Sequence, residues 1–275
     1  MKKIAIQGVE GCFHHIAAEG FFGKDIEIVP CPTFRAVARS LESGESDMAM
    51  MAIENSIAGS ILPNYKILQN SNLRVIGEIY LQIKQNLLVM PGVRLEDIRE
   101  VESHSMALQQ CADYLDDKGW RMIESEDTAA SARNVATKKL RNTAAVAGEL
   151  PARLYGLEVL VPEINTIKNN HTRFMVLERV NGHMTEIENI NKASLFFSVS
   201  HNKGSLVSVL KALENYDLNM SKLQSYPIPS DPWTYLFHLD MEFDNEDGYR
   251  QALKDMSSVC SDLKIYGEYR KGANI

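Results

Sequence analysis

The sequence predicts an α/β protein whose last third changes to an α+β arrangement, and three observations carry that reading. From residue 3 to residue 180, apolar strand-like runs alternate with segments of helical spacing, the pattern of a parallel or mixed sheet covered by helices. A polar stretch without strong periodicity, residues 181–192, interrupts the pattern. Beyond it the order becomes strand, helix, strand, strand, helix, strand, the βαββαβ order of ferredoxin-like folds. A chain of 275 residues suits two compact units at about 150 residues each.

Taken in order, residues 3–6 read as a buried strand ending at Gly8-Val9-Glu10-Gly11, and residues 13–22 have helical spacing. Thr33 is placed to cap a helix reaching about residue 41, with Gly44 just past its end, and residues 47–53 follow as a second buried strand. Further strands are expected over 73–83, 87–90, 120–124, 143–147 and 172–180, with helices over 106–117 and 128–140. In the tail, strands are expected over 193–201, 219–225, 233–243 and 263–269, and helices over 204–215 and 247–260.

Composition narrows the function. The formal net charge is -7 and no long basic block offsets it, so a phosphate backbone is a poor partner and no nucleic acid is expected. Cys12, Cys31, Cys111 and Cys260 form no C-x-x-C pair, which fits neither a disulfide framework nor a zinc site and points to a reducing cytosol. No export signal is evident. The longest strictly apolar run, residues 48–53, is far short of the ~20 residues of a membrane span.

Five segments are candidates for chemistry. Gly8-Val9-Glu10-Gly11-Cys12-Phe13 reads either as a glycine turn presenting helix N–H groups to an anion or as a plain tight turn. Glu54-Asn55-Ser56, with Gly59, stands at the carboxyl end of an apolar strand, where open α/β sheets hold ligands. Asn55 and Ser56 read equally as turn and cap residues. Ser103-His104-Ser105 and Asp127-Thr128-Ala129-Ala130-Ser131 are helix starts. Capping is the plain reading of the serines, and a structural part that of His104. Asn169-Asn170-His171-Thr172-Arg173-Phe174 opens directly into an apolar strand. There the Arg173 fork either grips a carboxylate or forms a surface ion pair. Neither H-E-x-x-H, a Walker loop, G-x-G-x-x-G nor G-x-S-x-G is present, which disfavours metal, nucleotide and acyl-serine chemistry. The residues alone lead to a cofactor-free anion site and a ferredoxin-like second domain.

In order along the chain, these segments resemble the prephenate dehydratase family with a C-terminal ACT domain. Gly8–Phe13 is similar to its G-P-x-G-T-F, Ile53–Gly59 to I-E-N-S-x-x-G, Ser103–Leu108 to S-H-P-Q-A-L, and Asp127–Ala132 to D-T-A-x-S-A. Asn170–Phe174 matches N-x-T-R-F in full. Val9 and Cys12 stand where the family has Pro and Thr, and Ser105-Met106 where it has Pro-Gln.

The resemblance implies a two-lobed catalytic domain over residues 1–180, similar to periplasmic binding proteins. Lobe one would be about 1–80 and 161–180, lobe two about 81–160, with a 181–192 linker and an ACT regulatory domain over 193–275. The activity it implies is conversion of prephenate to phenylpyruvate with loss of water and CO2 in phenylalanine biosynthesis. Thr172 would donate to the leaving hydroxyl and Arg173 would hold a carboxylate. Glu54 is the competing acid, since burial in a dry cleft raises a carboxyl towards about 6–7. Asn55, Ser56, Ser103, His104, Thr128, Ser131 and Phe174 would bind or orient substrate. Gly204, Ser205, Leu206, Asn219, Gln224 and Ser225 would bind the effector L-phenylalanine.

A homodimer or homotetramer, with no cofactor, metal, nucleic acid or membrane partner, completes the expectation. The chain begins at its first strand, so prephenate is expected from a separate chorismate mutase protein. The alternatives are arogenate dehydratase and a non-catalytic sensor.

Overall fold

The computed structural model describes residues 1–181, 184–227 and 235–275. The first two residues of the strand expected over 233–243, and part of the 181–192 stretch, lie outside them. The elements are β1 (Lys2–Gln7), α1 (Phe13–Phe22), β2 (Ile26–Cys31), α2 (Phe34–Ser43), β3 (Met48–Asn55), β4 (Gly59–Ser60), α3 (Leu62–Asn70), β5 (Leu73–Gln82), β6 (Asn86–Val89) and β7 (Glu100–His104). Then come α4 (Ser105–Gln110), α5 (Ala112–Leu115), β8 (Arg121–Ser125), α6 (Thr128–Thr137), β9 (Thr143–Ala147), α7 (Leu150–Tyr155), β10 (Glu158–Val161) and β11 (His171–Arg179). The last are β12 (Lys192–Ser198), α8 (Ser205–Glu214), β13 (Leu218–Pro227), β14 (Tyr235–Phe243), α9 (Glu246–Val259) and β15 (Ser261–Tyr269).

Two compact units emerge. One comprises Met1–Ser60, Ile79–Phe174 and Asn274–Ile275; the other comprises Ile61–Glu78 and Met175–Ala273.

The first unit has two lobes, each with its own sheet. In one, β1 lies between β2 and β3, parallel to both, with Ile4 opposite Ile28 and Met48, and β11 flanks β3. The first six residues of β3, Met48 to Ile53, are buried without a break, as befits a parallel strand covered on both faces. The α2 boundaries follow from local chemistry: Thr33 Oγ1 accepts from the Ala36 N–H at 3.2 Å, and Gly44 closes the helix in the left-handed region at φ 82.

The other sheet runs β10-β6-β9-β7-β8. Strand alternation splits its apolar residues between two cores. Leu87, Val89, Ala144 and Val146 face α4 and α5. Leu88, Ala145 and Ala147 face Ala132 and Val135 of α6.

In the second unit the βαββαβ order is realised by β12, α8, β13, β14, α9 and β15, in sheet order β13-β14-β12-β15. One face carries Ala193, Leu195, Phe197, Leu239 and Met241 against Val209, Tyr249 and Met256 of the helices. The opposite face of β12 is polar yet fully enclosed. Lys192 and Glu78 form an ion pair at 2.9 Å with side chains 1% and 0% exposed. Lys192 also reaches Glu242 at 3.3 Å. Ser194 Oγ meets Tyr269 Oη at 2.6 Å and donates to Asp240, whose Oδ1 is 3.0 Å from His238 Nε2.

The fold class expected from sequence is the one observed. Strands β2, β4, β7 and β10 and helices α3 and α7 had no expectation. Glu100-Val101-Glu102-Ser103-His104 offers only one large apolar residue, yet β7 is held parallel between β8 and β9. The single helix expected over 106–117 is broken at Cys111, whose φ of -113 and ψ of 14 separate α4 from α5.

Candidate active site

The end of β3 meets the start of β11 in a polar cluster. Asn55 Oδ1 accepts from the Ile57 and Ala58 N–H groups at 3.0 and 2.9 Å, an Asx turn that settles which amide atom is oxygen. Its Nδ2 therefore donates, to Asn170 Oδ1 at 2.7 Å, Thr172 Oγ1 at 3.0 Å and the His171 carbonyl at 3.2 Å. Since Thr172 Oγ1 is the acceptor, its own proton is free to be donated outward. Ser56 locks the junction through its N–H to the His171 carbonyl at 2.8 Å and its Oγ, which accepts from the His171 N–H at 2.9 Å. Asn170 is fully buried, and its Nδ2 has no protein partner among the described residues. Thr172 is 8% exposed.

Thr172 and Arg173 are successive residues of β11, so their side chains leave opposite faces. The Arg173 guanidinium lies 6.0 Å from the centre of the Tyr80 ring, and the residue is buried. The donor expected at Thr172 and the carboxylate grip expected at Arg173 thus stand on opposite faces of β11. Because β3 and β11 are neighbours and Ser56 meets His171 at the end of one and the start of the other, they run antiparallel. Counting back from that pair sets Glu54 opposite Arg173, on the face away from Thr172.

The β1–α1 turn has Gly8 at φ 105 and Gly11 at φ 91. An ideal Cβ on Gly8 would lie 2.7 Å from Asp127 Oδ2. Asp127 caps α6, its Oδ1 accepting from Ala129 and Ala130 N–H at 2.8 and 2.9 Å. Burial raises its carboxyl above the usual range, against the lowering effect of those two bonds. Burial, and then the Asp127 charge, push the Cys12 thiol up to about 12. Of the two readings of this turn, anion holder or plain tight turn, a carboxylate neighbour favours the second. Tyr155 Oη donates to the Glu10 carbonyl at 2.8 Å, tying the turn to α7. Gly8→Ala is expected to cost about 1–3 kcal/mol through the positive φ and the clash, read as a lower urea midpoint; an unchanged midpoint would show that Asp127 yields freely.

At the helix starts the cap assignments change. Ser103 Oγ donates to the Val146 carbonyl at 2.6 Å from within β7, so it ties strands rather than capping. The cap of α4 is His104, whose Nδ1 accepts from the Met106 N–H at 3.2 Å, and Ser105 is the first helical residue. Ser131 Oγ lies 2.5 Å from Ser125 Oγ and donates to the Asp127 carbonyl at 3.2 Å. Thr128 opens α6, half-buried.

His14, on the first turn of α1, accepts from the Ala52 N–H with Nε2 at 3.3 Å. Its ring meets Phe174 edge-on at 5.0 Å and Phe34 at 5.5 Å. Sequence reasoning passed over His14, Tyr80, Asp127 and Asn170 as site residues. Asn170 and Asp127 lay inside motifs already singled out, whereas His14 and Tyr80 had no local signal.

In the second unit Gly204, Ser205 and Leu206 line a pocket of about 240 Å³ with Val199, Tyr235 and Phe237. Asn219, Gln224 and Ser225 lie on β13, outside its lining. Among the described residues no three His, Cys, Asp or Glu side chains gather to hold a metal, and no helix is long and apolar enough to cross a membrane.

The prephenate dehydratase family model matches residues 4–181. Arogenate dehydratase/prephenate dehydratase 2, chloroplastic, of Arabidopsis thaliana is 34% identical over 277 residues, covering 97% of this chain and 72% of its own. Among solved structures, GqqA, described as a novel type of quorum quenching acylase, superposes with a TM-score of 0.89 at 28% identity over 98% of both chains. Prephenate dehydratase from Arthrobacter aurescens in complex with L-Phe gives 0.86 at 26% identity, covering 98% of this chain and 89% of the other.

Proposed function

Because this chain belongs to the prephenate dehydratase family, we propose that the Asn55–Asn170–Thr172 cluster is where its reaction, prephenate to phenylpyruvate with loss of water and CO2, takes place. The bond from ring C1 to its carboxylate breaks, and its electron pair enters the ring as CO2 departs. The bond from C4 to oxygen breaks, and the hydroxide leaves as water with one added proton. Aromatisation drives both cleavages, so the protein has to help one oxygen leave and hold two carboxylates.

The observation that carries the assignment is the direction of the hydrogen bond between Asn55 and Thr172. With Oγ1 accepting from Nδ2, the hydroxyl presents its proton to the C4 oxygen, a hydrogen bond that strengthens as negative charge develops there. An alcohol is too weak an acid to give up its proton freely at neutral pH, so the stabilisation is positional. Asn170, fully buried beside it, helps hold the Asn55 amide in place through its Oδ1. Arg173 acts from behind the strand, where it packs over Tyr80 and holds β11 in register.

Residues 193–275 form the ACT regulatory module in this reading, with L-phenylalanine in the Gly204 pocket and a homodimer or homotetramer as the working state in the cytosol. The ferredoxin-like order supports this, as does the relative crystallised with L-Phe. The test is product analysis on purified protein given prephenate, then arogenate, each with and without L-phenylalanine. Phenylpyruvate from prephenate, at a rate lowered by L-phenylalanine, is expected. Phenylalanine from arogenate alone would make it an arogenate dehydratase, and no product from either would leave a sensor.

A further inference from the structure

We propose that His14 is a substrate-binding residue, a neutral imidazole whose Nδ1–H donates to a carboxylate oxygen of prephenate beside Thr172. The inference rests on the dehydratase reading above and adds a residue that none of the motifs contains. It begins with a gap in the β-ladder. β1 and β3 pair in parallel, with Ile4 opposite Met48, Ala5 opposite Ala49 and Ile6 opposite Met50. Continued, that register would set Gly8 opposite Ala52, but at Gly8 the chain turns away into α1. The Ala52 N–H meets the His14 ring at Nε2 instead, at 3.3 Å, so an imidazole stands where the next residue of the strand would be.

That bond fixes the chemistry of the ring. A nitrogen that accepts from an amide carries no proton, so in a neutral imidazole the proton is on Nδ1. Enclosure between Phe34 and Phe174 favours the neutral form, and burial drives the group down to about 3. No protein group among the described residues accepts from Nδ1, and the residue is only partly covered.

Placement supplies the rest. The ring sits just past the carboxyl end of β1, against β3 three residues before that strand ends, on the side where open α/β sheets receive their ligands. Phe174, which it meets edge-on, is two residues after Thr172 on β11 and so shares its face. A neutral donor also suits a carboxylate that must leave as CO2. A fixed cation would favour the charged ground state over a transition state in which that charge has moved into the ring.

Two isosteres separate the donor from the strand cap: an asparagine amide nitrogen falls near the place of Nδ1, and a glutamine carbonyl near that of Nε2. For His14→Phe, KM for prephenate should rise by about 10–100-fold, the worth of one hydrogen bond to a charged group, with kcat changed much less. His14→Asn should recover most of this and His14→Gln should not. Nitrogen-15 spectra of the wild-type ring should show Nδ1 protonated and Nε2 bare from pH 8 to pH 5, with Nδ1 shifting as prephenate is added. Rescue by glutamine but not asparagine, a wild-type KM in His14→Phe, or a proton on Nε2 would each overturn the inference alone. A wild-type protein that turns over no prephenate would overturn the dehydratase reading, and this inference with it.

Discussion

Thr172→Ala should lower kcat on prephenate by about 10²–10³-fold, the range for one preorganised hydrogen-bond donor, with circular dichroism unchanged and only a small drop in urea midpoint from the lost methyl group. The residue is 8% exposed, and the change removes its hydroxyl together with one methyl group. Asn55 Nδ2 still has Asn170 Oδ1 and the His171 carbonyl to bond. The fold therefore keeps its partners while the leaving oxygen loses its donor. Thr172→Ser, which retains the hydroxyl, should return most of the rate. A Thr172→Ala protein with near-normal turnover would move the donor role to another group.

The largest effect on stability is expected in the second unit. Lys192→Met would leave the Glu78 carboxylate at 0% side-chain exposure without its ammonium, and breaking a buried pair from one side costs about 3–5 kcal/mol. Glu78 also accepts from the Gly272 N–H at 3.2 Å and from Tyr269 Oη at 3.5 Å, and neutral donors do not replace a lost counter-charge. Urea denaturation should show the loss as a lower midpoint. The double variant Lys192→Met with Glu78→Gln should regain a good part of it, since the uncompensated charge is then gone. A double variant no more stable than the single would mean that the network is held by Asp240, Ser194 and Tyr269 rather than by the ion pair.

Much of the architecture could be read in the sequence where local chemistry decides it. The bounds of α1, the Thr33 and Gly44 caps of α2 and the buried run of β3 all rest on neighbours within a few residues. Elements held by distant partners could not be read. β7 is a strand because β8 and β9 flank it, and α7, six residues opening with Leu150-Pro151, is too short for periodicity to reveal.

The site divides in the same way. Its motifs were legible as polar breaks at strand ends, and their order pointed to the family. The faces were not: Thr172 and Arg173 look like partners in a line of text, and only the pleat parts them. Nor could any pattern expose His14, whose tautomer is set by an amide 38 positions away.

The side chain of Asn55 gives this junction its polarity. An amide has a giving end and a taking end, and here two loop N–H groups claim the taking end. A carboxylate of the same shape would have two taking ends, and the threonine would then turn its hydrogen inward to satisfy it. One nitrogen in place of one oxygen is what leaves the threonine hydrogen unclaimed by its neighbour.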